Sequence, residues 1–297
     1  MAASFTPLHE LATRIGGERV EATNLTPIGG QPHDLVPPQP ALDALRRAKL
    51  VLYLGGTFQP AVDAAVAKLP ATTTKLDLAT DATLPNAKPI DGTRGVVEGA
   101  PVDGSGTDPH VWLDPERFAT AAKQTQDALI AADPEHRAEY QTRGGRYLAE
   151  LTRLGGDYKQ QLQGCGRGVL LTTHPAWGYL AARYGLEQAV VAGITPGASI
   201  TPATLEALAR YARRERITTL FTTVPLPTRQ TRVITRETGL RVQVLDPFEG
   251  LTQEQRDQGT GYVDVMRENL VKLRDGLACD PGTTPTPTTP ESTTPQQ

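Results

Sequence analysis

Residues 108–115 read DPHVWLDP and place one histidine between two Asp-Pro steps. Asp114 followed by Pro115 is a strong helix-start signal, because an Asp side chain caps the free N–H groups of a first turn and proline fits the first helical position. His110 is therefore expected in a constrained loop that leads into a helix. Such a loop gives up its chain entropy before a ligand binds, which holds the imidazole ready.

Two helical segments follow this start. The first is predicted over Pro115–Ala132, and the second over residues 134 to about 162, where apolar and aromatic residues recur at helical spacing. The second would be about 45 Å long at 1.5 Å per residue, which is longer than a small domain is wide. Glycine doublets at 144–145 and 155–156 leave a bend open. We interpret this helix as a rod that joins two domains.

Short apolar strands alternate with helical segments on both sides of these helices. Strands are predicted at residues 20–25 (VEATNL) and 50–54 (LVLYL), with helical spacing in LDALRRA and AVDAAVAKL. After Gly168 the strands VLLTT, VVAGI, TLFTTV and VQVLD alternate with helices, the last of them in VDVMRENLVKLRDGL. The alternation predicts an α/β fold of two lobes, each with a mainly parallel sheet.

The predicted organisation has four parts. They are an N-terminal α/β lobe at 1–133, a long linking helix at 134–163, a C-terminal α/β lobe at 164–280 and a tail at 281–297. The tail is rich in Thr and Pro and is expected to be disordered, because it cannot form a core. Residues 86–107, rich in Gly, Pro and Asp, are expected to form a mobile surface loop.

Composition is that of a soluble globular protein with room for two cores, at 297 residues and 38% hydrophobic content. The 30 basic and 33 acidic residues are scattered, without a basic stripe that would follow a phosphate backbone, so nucleic acid is not an expected partner. No apolar run is long enough for a bilayer. The start MAASFTPLHE lacks the regions of a signal peptide, so export would imply that a signal had been removed.

The two cysteines, Cys165 and Cys279, do not form a Cys-x-x-Cys pair. They are either a disulfide or two free thiols, and their places at the edges of a folded segment favour the disulfide. Such a bond indicates an oxidising, extracytoplasmic compartment. Cys165 is excluded as a metal ligand, because it precedes the strand that ends near His174 and lies at the opposite edge of the sheet.

Three of the five histidines have matching positions near the carboxyl ends of strands or ahead of a helix. They are His33 in GGQPHD, His110 in DPHVWLDP and His174 in TTHPAW. Asp246 ends the strand VQVLD in the same topological position. Ligands of open α/β sheets bind outside the carboxyl ends of the strands, so these four residues are expected to meet in one cleft between the lobes.

Three imidazoles and one carboxylate suit a tetrahedral, zinc-like ion. The alternative for each histidine is a solvated or hydrogen-bonded loop residue, and Asp246 can equally be a turn or cap carboxylate before a proline. His9 and His136 lie on helical segments near charged residues and are interpreted as surface or packing residues. Glu249 is interpreted as a loop residue.

At these residues the chain resembles the cluster A-I metal receptors, the zinc and manganese solute-binding proteins of ABC transporters. The resemblance covers the chain to about Ala278. Residues 6–40 are similar to that family's opening segment, DPHVWLDP is its most specific signature, TTHPAWGYLAARYGL resembles its third-ligand motif, and VQVLDPFEGL resembles its fourth.

The resemblance implies metal ligation by His33, His110, His174 and Asp246 in a cleft between two α/β lobes joined by a long helix. Manganese-type members resemble this chain but carry a glutamate at the third ligand, and a nitrogen-rich set with His174 favours zinc. Two features of the family are missing. Residues 86–107 contain no histidine, and the expected N-terminal lipid-bearing cysteine is absent.

The function we expect is that of an extracytoplasmic, monomeric receptor, lipid-anchored in its native form or free, that captures Zn²⁺ and delivers it to an ABC permease. Its zinc affinity should fall as pH drops through the imidazole range. The alternatives are a manganese receptor of the same family and a metal-binding surface adhesin. A zinc hydrolase is disfavoured, because no His-Glu-x-x-His motif occurs and four protein ligands would close the site to water.

Overall fold

The structure is a computed structural model, and it describes residues 1–33, 35–56, 58–79, 88–89, 108–192, 194 and 197–279. The predicted disordered tail at 281–297 lies outside the described residues. So does the predicted loop at 86–107, apart from residues 88–89.

A parallel four-stranded sheet forms the N-terminal lobe, with strand order β2-β1-β3-β4. Its strands are β1 (Ala2–Ala3), β2 (Thr23–Asn24), β3 (Leu50–Tyr53) and β4 (Thr74–Asp77). Its helices are α1 (Thr6–Gly16), α2 (Gln39–Arg47) and α3 (Pro60–Ala67). The strand predicted at residues 20–25 is only two residues long, and the sequence did not predict β1 or β4. Residues Thr74 and Lys75 of β4 are exposed on a sheet edge, so that strand lacks a strong apolar signal.

The predicted helix start at Asp114 is confirmed. Helix α4 spans Pro115–Ala132, and the Asp114 carboxylate accepts the N–H of Glu116 at 3.0 Å. Helix α5 spans Arg137–Gln161, so it begins three residues later than predicted, because Pro134–His136 form a separate 3₁₀ turn. The backbone of Asp133 has a non-helical conformation at that point (φ −146°, ψ 74°), which interrupts the helix.

Helix α5 continues through both glycine doublets, and at Gly144 the missing side chain allows close packing. A Cβ on Gly144 would lie 2.8 Å from the side chain of Gln126 on α4, whereas a Cβ on Gly145 would meet nothing within 4 Å. In the second doublet a Cβ on Gly155 would make only ordinary contacts, the nearest 3.4 Å away at Glu116, and a Cβ on Gly156 would meet nothing within 4 Å. Helix α5 also contacts α1, so it is a packed spine and not an isolated rod.

The C-terminal lobe contains a parallel five-stranded sheet with strand order β5-β7-β6-β8-β9. Its strands are β5 (Lys88–Pro89), β6 (Val169–Thr172), β7 (Glu187–Val190), β8 (Thr219–Thr222) and β9 (Arg241–Val244). Its helices are α6 (Gly178–Arg183), α7 (Pro202–Arg214), α8 (Thr228–Thr238), α9 (Gln253–Asp257) and α10 (Tyr262–Leu277). Together the two sheets confirm the predicted fold of two α/β lobes.

Two strands of this lobe differ from the sequence prediction. β7 ends where the predicted strand VVAGI begins, because its pairing with β6 runs from Val169 opposite Glu187 to Thr172 opposite Val190. The edge strand β5 comes from the segment that was predicted to be a loop. It pairs with β7, so a piece of chain from before α4 completes the second sheet.

One buried apolar cluster runs through both lobes and the spine helix. It includes Phe5 of the N-terminal lobe, Trp112, Tyr147 and Tyr158 of α5, and Tyr262 of α10, each at most 1% exposed. Smaller clusters lie under the outer helices of each lobe. The lobes therefore share a core, which restricts their relative movement.

The disulfide between Cys165 and Cys279 is confirmed. It joins the chain just before the amino end of β6 to the end of α10, whereas His174 follows the carboxyl end of β6. Among the described helices, none is both long enough and apolar enough to cross a bilayer.

Candidate metal centre

Three loops bring the predicted histidines together. His33 lies in the loop after β2, His174 follows β6, and His110 directly precedes the 3₁₀ turn Val111–Leu113 that leads into α4. The Nε2 atom of His110 is 3.3 Å from Nε2 of His33 and 3.3 Å from Nε2 of His174. The Nε2 atoms of all three imidazoles therefore lie in one small volume between the lobes.

The carboxylate that joins these histidines is that of Glu249. Its Oε1 lies 3.5 Å from Nε2 of His33 and 3.7 Å from Nε2 of His110, and the four candidate ligand atoms lie within 4.8 Å of one another. Its side chain is only 12% exposed. Within the part of the chain that the structure describes, this buried oxygen accepts no hydrogen bond that meets the ordinary distance and angle limits.

Asp246, the fourth ligand that the sequence predicted, is not in this cluster. Its Oδ1 accepts the N–H of Phe248 at 2.8 Å, and its Oδ2 accepts Nε2 of Gln255 at 3.1 Å. Both carboxylate oxygens are therefore used to fold the turn after β9. Asp246 therefore has the turn role that was the alternative for a carboxylate before a proline, and the carboxylate that lies with the histidines is that of Glu249, which was interpreted from the sequence as a loop residue.

The turn that Asp246 stabilises places Glu249 beside the histidines. Phe248 has a positive φ of 55°, an uncommon conformation for a bulky residue, and is fully buried. The backbone N–H of Asp246 is bound by Asn269 of α10 at 2.9 Å, and the side chain of Asn269 returns a bond to Asp246 O at 2.7 Å. The sequence signal for Glu249 was its place within PFEG, three residues after Asp246, where the predicted strand VQVLD ends.

His110 is fixed by Asp108, two residues before it. Asp108 Oδ1 lies 2.6 Å from His110 Nδ1 and also accepts the backbone N–H of His110 at 2.8 Å. Both side chains are buried. This carboxylate places the proton on Nδ1 and leaves Nε2 as a free lone pair directed at the cluster.

The electrostatics keep the cluster in a form that can bind a cation. Burial, followed by the nearby His110, lowers the pKa of His174 to about 3, so this imidazole is neutral near pH 7. Burial alone would raise the pKa of Glu249, but the nearby His33, His110 and His174 outweigh it and lower that pKa. A neutral imidazole and an ionised carboxylate are the forms that coordinate a metal.

The spacing of the nitrogens fits a tetrahedral ion. Metal–nitrogen bonds of about 2.0–2.1 Å at tetrahedral angles place the ligand atoms about 3.3–3.4 Å apart. Two of the three nitrogen pairs, His110 with His33 and His110 with His174, are 3.3 Å apart. The cluster can therefore hold one metal ion with three nitrogen ligands and one oxygen ligand.

The other two histidines lie outside the cluster. His9 Nε2 is 3.2 Å from the carbonyl of Ala22, and His136 Nδ1 is 2.8 Å from a carboxylate oxygen of Asp133. Each has a local partner, as expected of a packing or surface histidine.

Comparisons with known proteins identify the family of this chain. The family model of the zinc-uptake complex component A, periplasmic (ZnuA), matches residues 1–276. The high-affinity zinc uptake system protein ZnuA of Bacillus subtilis is 27% identical over 93% of this chain and 87% of its own length. The zinc-binding lipoprotein AdcA of Streptococcus pneumoniae is 26% identical over 95% of this chain, which spans only 57% of that relative's length.

The fold has a solved counterpart. The crystal structure of the metal-dependent lipoprotein YcdH from Bacillus subtilis superimposes with a TM-score of 0.83 at 26% identity, and the match covers 93% of this chain and 98% of that one. The two-lobe architecture and the long helix between the lobes are thus features that this chain shares with a metal-dependent protein.

Proposed function

This chain belongs to the family of the zinc-uptake complex component A, and from that membership we propose that it is a receptor that captures one Zn²⁺ ion outside the cytoplasmic membrane and delivers it to an ABC transporter permease. The observation that carries the proposal is the cluster of three histidine Nε2 atoms around the buried, unpartnered Oε1 of Glu249. His33, His110, His174 and Glu249 are the proposed ligands.

Zinc is the proposed ion because the donor set is rich in nitrogen. Imidazole ligands suit Zn²⁺, whereas Mn²⁺ prefers carboxylate, carbonyl and water oxygens. Two relatives named above are a high-affinity zinc uptake system protein and a zinc-binding lipoprotein, and the donors found here would suit the same ion. A manganese receptor remains the second candidate of the same class, and it would need oxygen ligands that this cluster supplies only through Glu249.

Capture and release without turnover is the activity that this site suits, and the chain is a receptor rather than an enzyme. Four protein ligands fill a tetrahedral coordination sphere and leave no position for an activated water. Among the described residues, Glu249 is the only carboxylate in the cluster, and as a ligand it is not free to act as a general base.

Release is proposed to need small movements near the site and no wide opening of the lobes. The signature segment is clamped by the C-terminal lobe: Trp112 Nε1 donates to Pro247 O at 2.7 Å, and Tyr262 OH donates to Trp112 O at 2.6 Å. Arg183 of α6 also binds the carboxylate of Asp114 at 2.6 Å. Docking on a permease would then loosen a loop that carries a ligand. The contacts above hold the segment of His110. Of the other two histidine loops, that of His33 is the more exposed.

We further propose that the receptor works as a monomer, tethered at the cell surface or free outside the membrane, without nucleic acid as a partner. Its two lobes already contribute all four ligands to one site, so no second copy is needed to complete it. Sedimentation of the zinc-loaded chain at one monomer mass would support this proposal, and a stable dimer would contradict it.

The direct test is a titration of metal-free protein with Zn²⁺ and with Mn²⁺, followed by elemental analysis. We expect one tightly bound Zn²⁺ per chain that excess Mn²⁺ does not displace. A His110→Ala variant should lose most of this affinity. Preferential Mn²⁺ binding would favour the manganese receptor, and absence of both metals would refute the receptor proposal.

A further inference from the structure

Two buried glutamines touch the histidine-bearing loops, one in each lobe. Gln59, directly before α3, is fully buried and donates from Nε2 to the carbonyl of Pro32 at 3.2 Å. Gln188 of β7 is 4% exposed and donates from Nε2 to the carbonyl of His174 at 3.2 Å. Each amide group therefore holds the backbone of a proposed ligand or of its immediate neighbour.

The other half of each amide has no partner. Oε1 of Gln59 and Oε1 of Gln188 are buried, and neither accepts a hydrogen bond within the part of the chain that the structure describes. A buried acceptor left unpaired costs about 1–3 kcal/mol. These two glutamine oxygens lie beside two histidine ligands, so each needs a hydrogen-bond donor from its surroundings.

The Nδ1–H groups of His33 and His174 can supply these donors. His33 and His174 face the cluster through Nε2, so when Nε2 binds a metal the remaining proton lies on Nδ1. His110 satisfies its Nδ1 with Asp108, whereas no described contact has Nδ1 of His33 or of His174 as a donor. Metal-bound histidines almost always give this proton to an acceptor, which fixes the ring and raises its basicity.

We propose that Gln59 and Gln188 are positioning residues for zinc capture, with Oε1 of Gln59 accepting the Nδ1 proton of His33 and Oε1 of Gln188 accepting that of His174 in the zinc-loaded protein. The inference rests on the proposed zinc receptor function. Each of the three histidines then has its own acceptor: a carboxylate for His110 and an amide oxygen for the other two. The two amide oxygens are neutral, so they would hold the rings of His33 and His174 without adding negative charge to the site.

Packing supports this role for Gln59. The preceding residue, Phe58, contacts the ring of His33 edge-on with the ring centroids 4.6 Å apart, so the turn that carries Gln59 lies directly against this histidine. Gln188 is held by a second contact, since its Nε2 also donates to Thr172 Oγ1 at 2.9 Å. Both side chains are thus anchored by Nε2, with the oxygen as the free end.

The experiment is nuclear magnetic resonance of the imidazole groups in the full chain, labelled with ¹⁵N-histidine and loaded with Zn²⁺. Wild type should show three slowly exchanging Nδ1–H signals from the cluster. Gln188→Met should lose one of them, and Gln59→Met should lose a different one. Both variants should also bind zinc roughly 10- to 100-fold more weakly.

Gln126 supplies a matched control. It is also buried and donates from Nε2 to a backbone carbonyl, that of Tyr140 at 3.1 Å, but it lies between α4 and α5 away from the cluster. Gln126→Met should lower stability and leave all three signals and the zinc affinity unchanged. A purely structural role for Gln59 and Gln188 would give this same result in their variants and would overturn the proposal.

A second measurement on wild type does not depend on the variants folding. The Nδ1 protons of His33 and His174 should show nuclear Overhauser contacts to the side-chain amide protons of Gln59 and Gln188, respectively. Fast solvent exchange of these two protons, with only the His110 signal protected, would overturn the proposal while zinc still binds. Failure of wild type to bind zinc at all would instead refute the proposed function.

Discussion

Asp108 Oδ1 bridges two nitrogens of His110, the ring Nδ1 at 2.6 Å and the backbone N–H at 2.8 Å. One buried carboxylate thereby sets both the tautomer and the direction of the most deeply buried histidine in the cluster. The Asp-Pro-His order of the signature segment has a physical reason, because an aspartate two residues ahead can reach both groups at once.

We expect Asp108→Asn to weaken zinc binding roughly 10- to 100-fold. An amide can pair with either tautomer of His110, through its oxygen or its NH2 group, and it lacks the negative charge with which Asp108 holds the proton on Nδ1. Competition against a zinc chelator would measure the change. Unaltered affinity would mean that packing alone holds His110, with no contribution from the carboxylate.

Metal-free protein should become less stable as pH falls below about 6.5. Burial lowers the pKa of His174 to about 3 in the folded chain, while the unfolded chain has the ordinary value near 6.5. Between these values the unfolded chain binds a proton that the native state does not. The contribution of His174 to stability is therefore present above pH 6.5 and is lost as pH falls, at up to about 1.4 kcal/mol per pH unit.

Urea unfolding of metal-free wild type and His174→Gln between pH 7.5 and 4.5 would check this prediction. The variant should show a shallower loss of stability over the interval, since it removes the titrating group. Equal slopes for the two proteins would assign the pH dependence to other residues.

Loss of the disulfide should destabilise the fold without removing the metal site. The bond between Cys165 and Cys279 spans 114 positions of sequence, and bonds that close long loops restrict the unfolded chain most. We expect a Cys165→Ala/Cys279→Ala variant to lose roughly 2–5 kcal/mol in the free energy of unfolding. Zinc stoichiometry, measured by titration, should stay at one per chain. A variant that keeps its fold but no longer binds zinc would show that the metal site depends on the disulfide.

Adjacent glycines of α5 should respond oppositely to the same substitution. Gly145→Ala adds a methyl group in open space and should stabilise by about 0.5–1 kcal/mol, because glycine is a poor helix former. Gly144→Ala places a Cβ against the buried Gln126 and should destabilise, since that side chain must shift from its bond to Tyr140. Thermal unfolding of the two variants would test this, and equal effects would argue against close packing of α4 and α5.

Much of the fold could be predicted because it follows from local signals. The Asp114 cap and the apolar spacing gave the bounds of α4, and the buried strands β3, β6 and β8 have apolar runs that a sequence displays directly. The strands that prediction missed or misplaced, such as β1 and β4, are short or lie on an edge. Their existence depends on pairing with a neighbour, which is information that a single strand does not contain.

The candidate site, like the fold, could be predicted only in part. The histidines were predictable because each lies close to the end of a strand or the start of a helix, and topology brings such positions together. The choice between Asp246 and Glu249 depended on the turn at Phe248, where a positive φ and the bonds to Asp246 redirect the chain. A sequence pattern places residues at a sheet edge, but it does not say which of two nearby carboxylates is used by its own turn.

The most direct test of the proposed zinc site compares Glu249→Gln with Asp246→Asn in the same zinc titration. We predict that Glu249→Gln weakens zinc binding by at least about 10-fold, because it removes the buried anionic ligand. Asp246→Asn should change zinc affinity little and lower stability by about 1 kcal/mol through the weakened turn. The reverse ranking, with Asp246→Asn abolishing zinc binding and Glu249→Gln sparing it, would contradict the site described for this receptor.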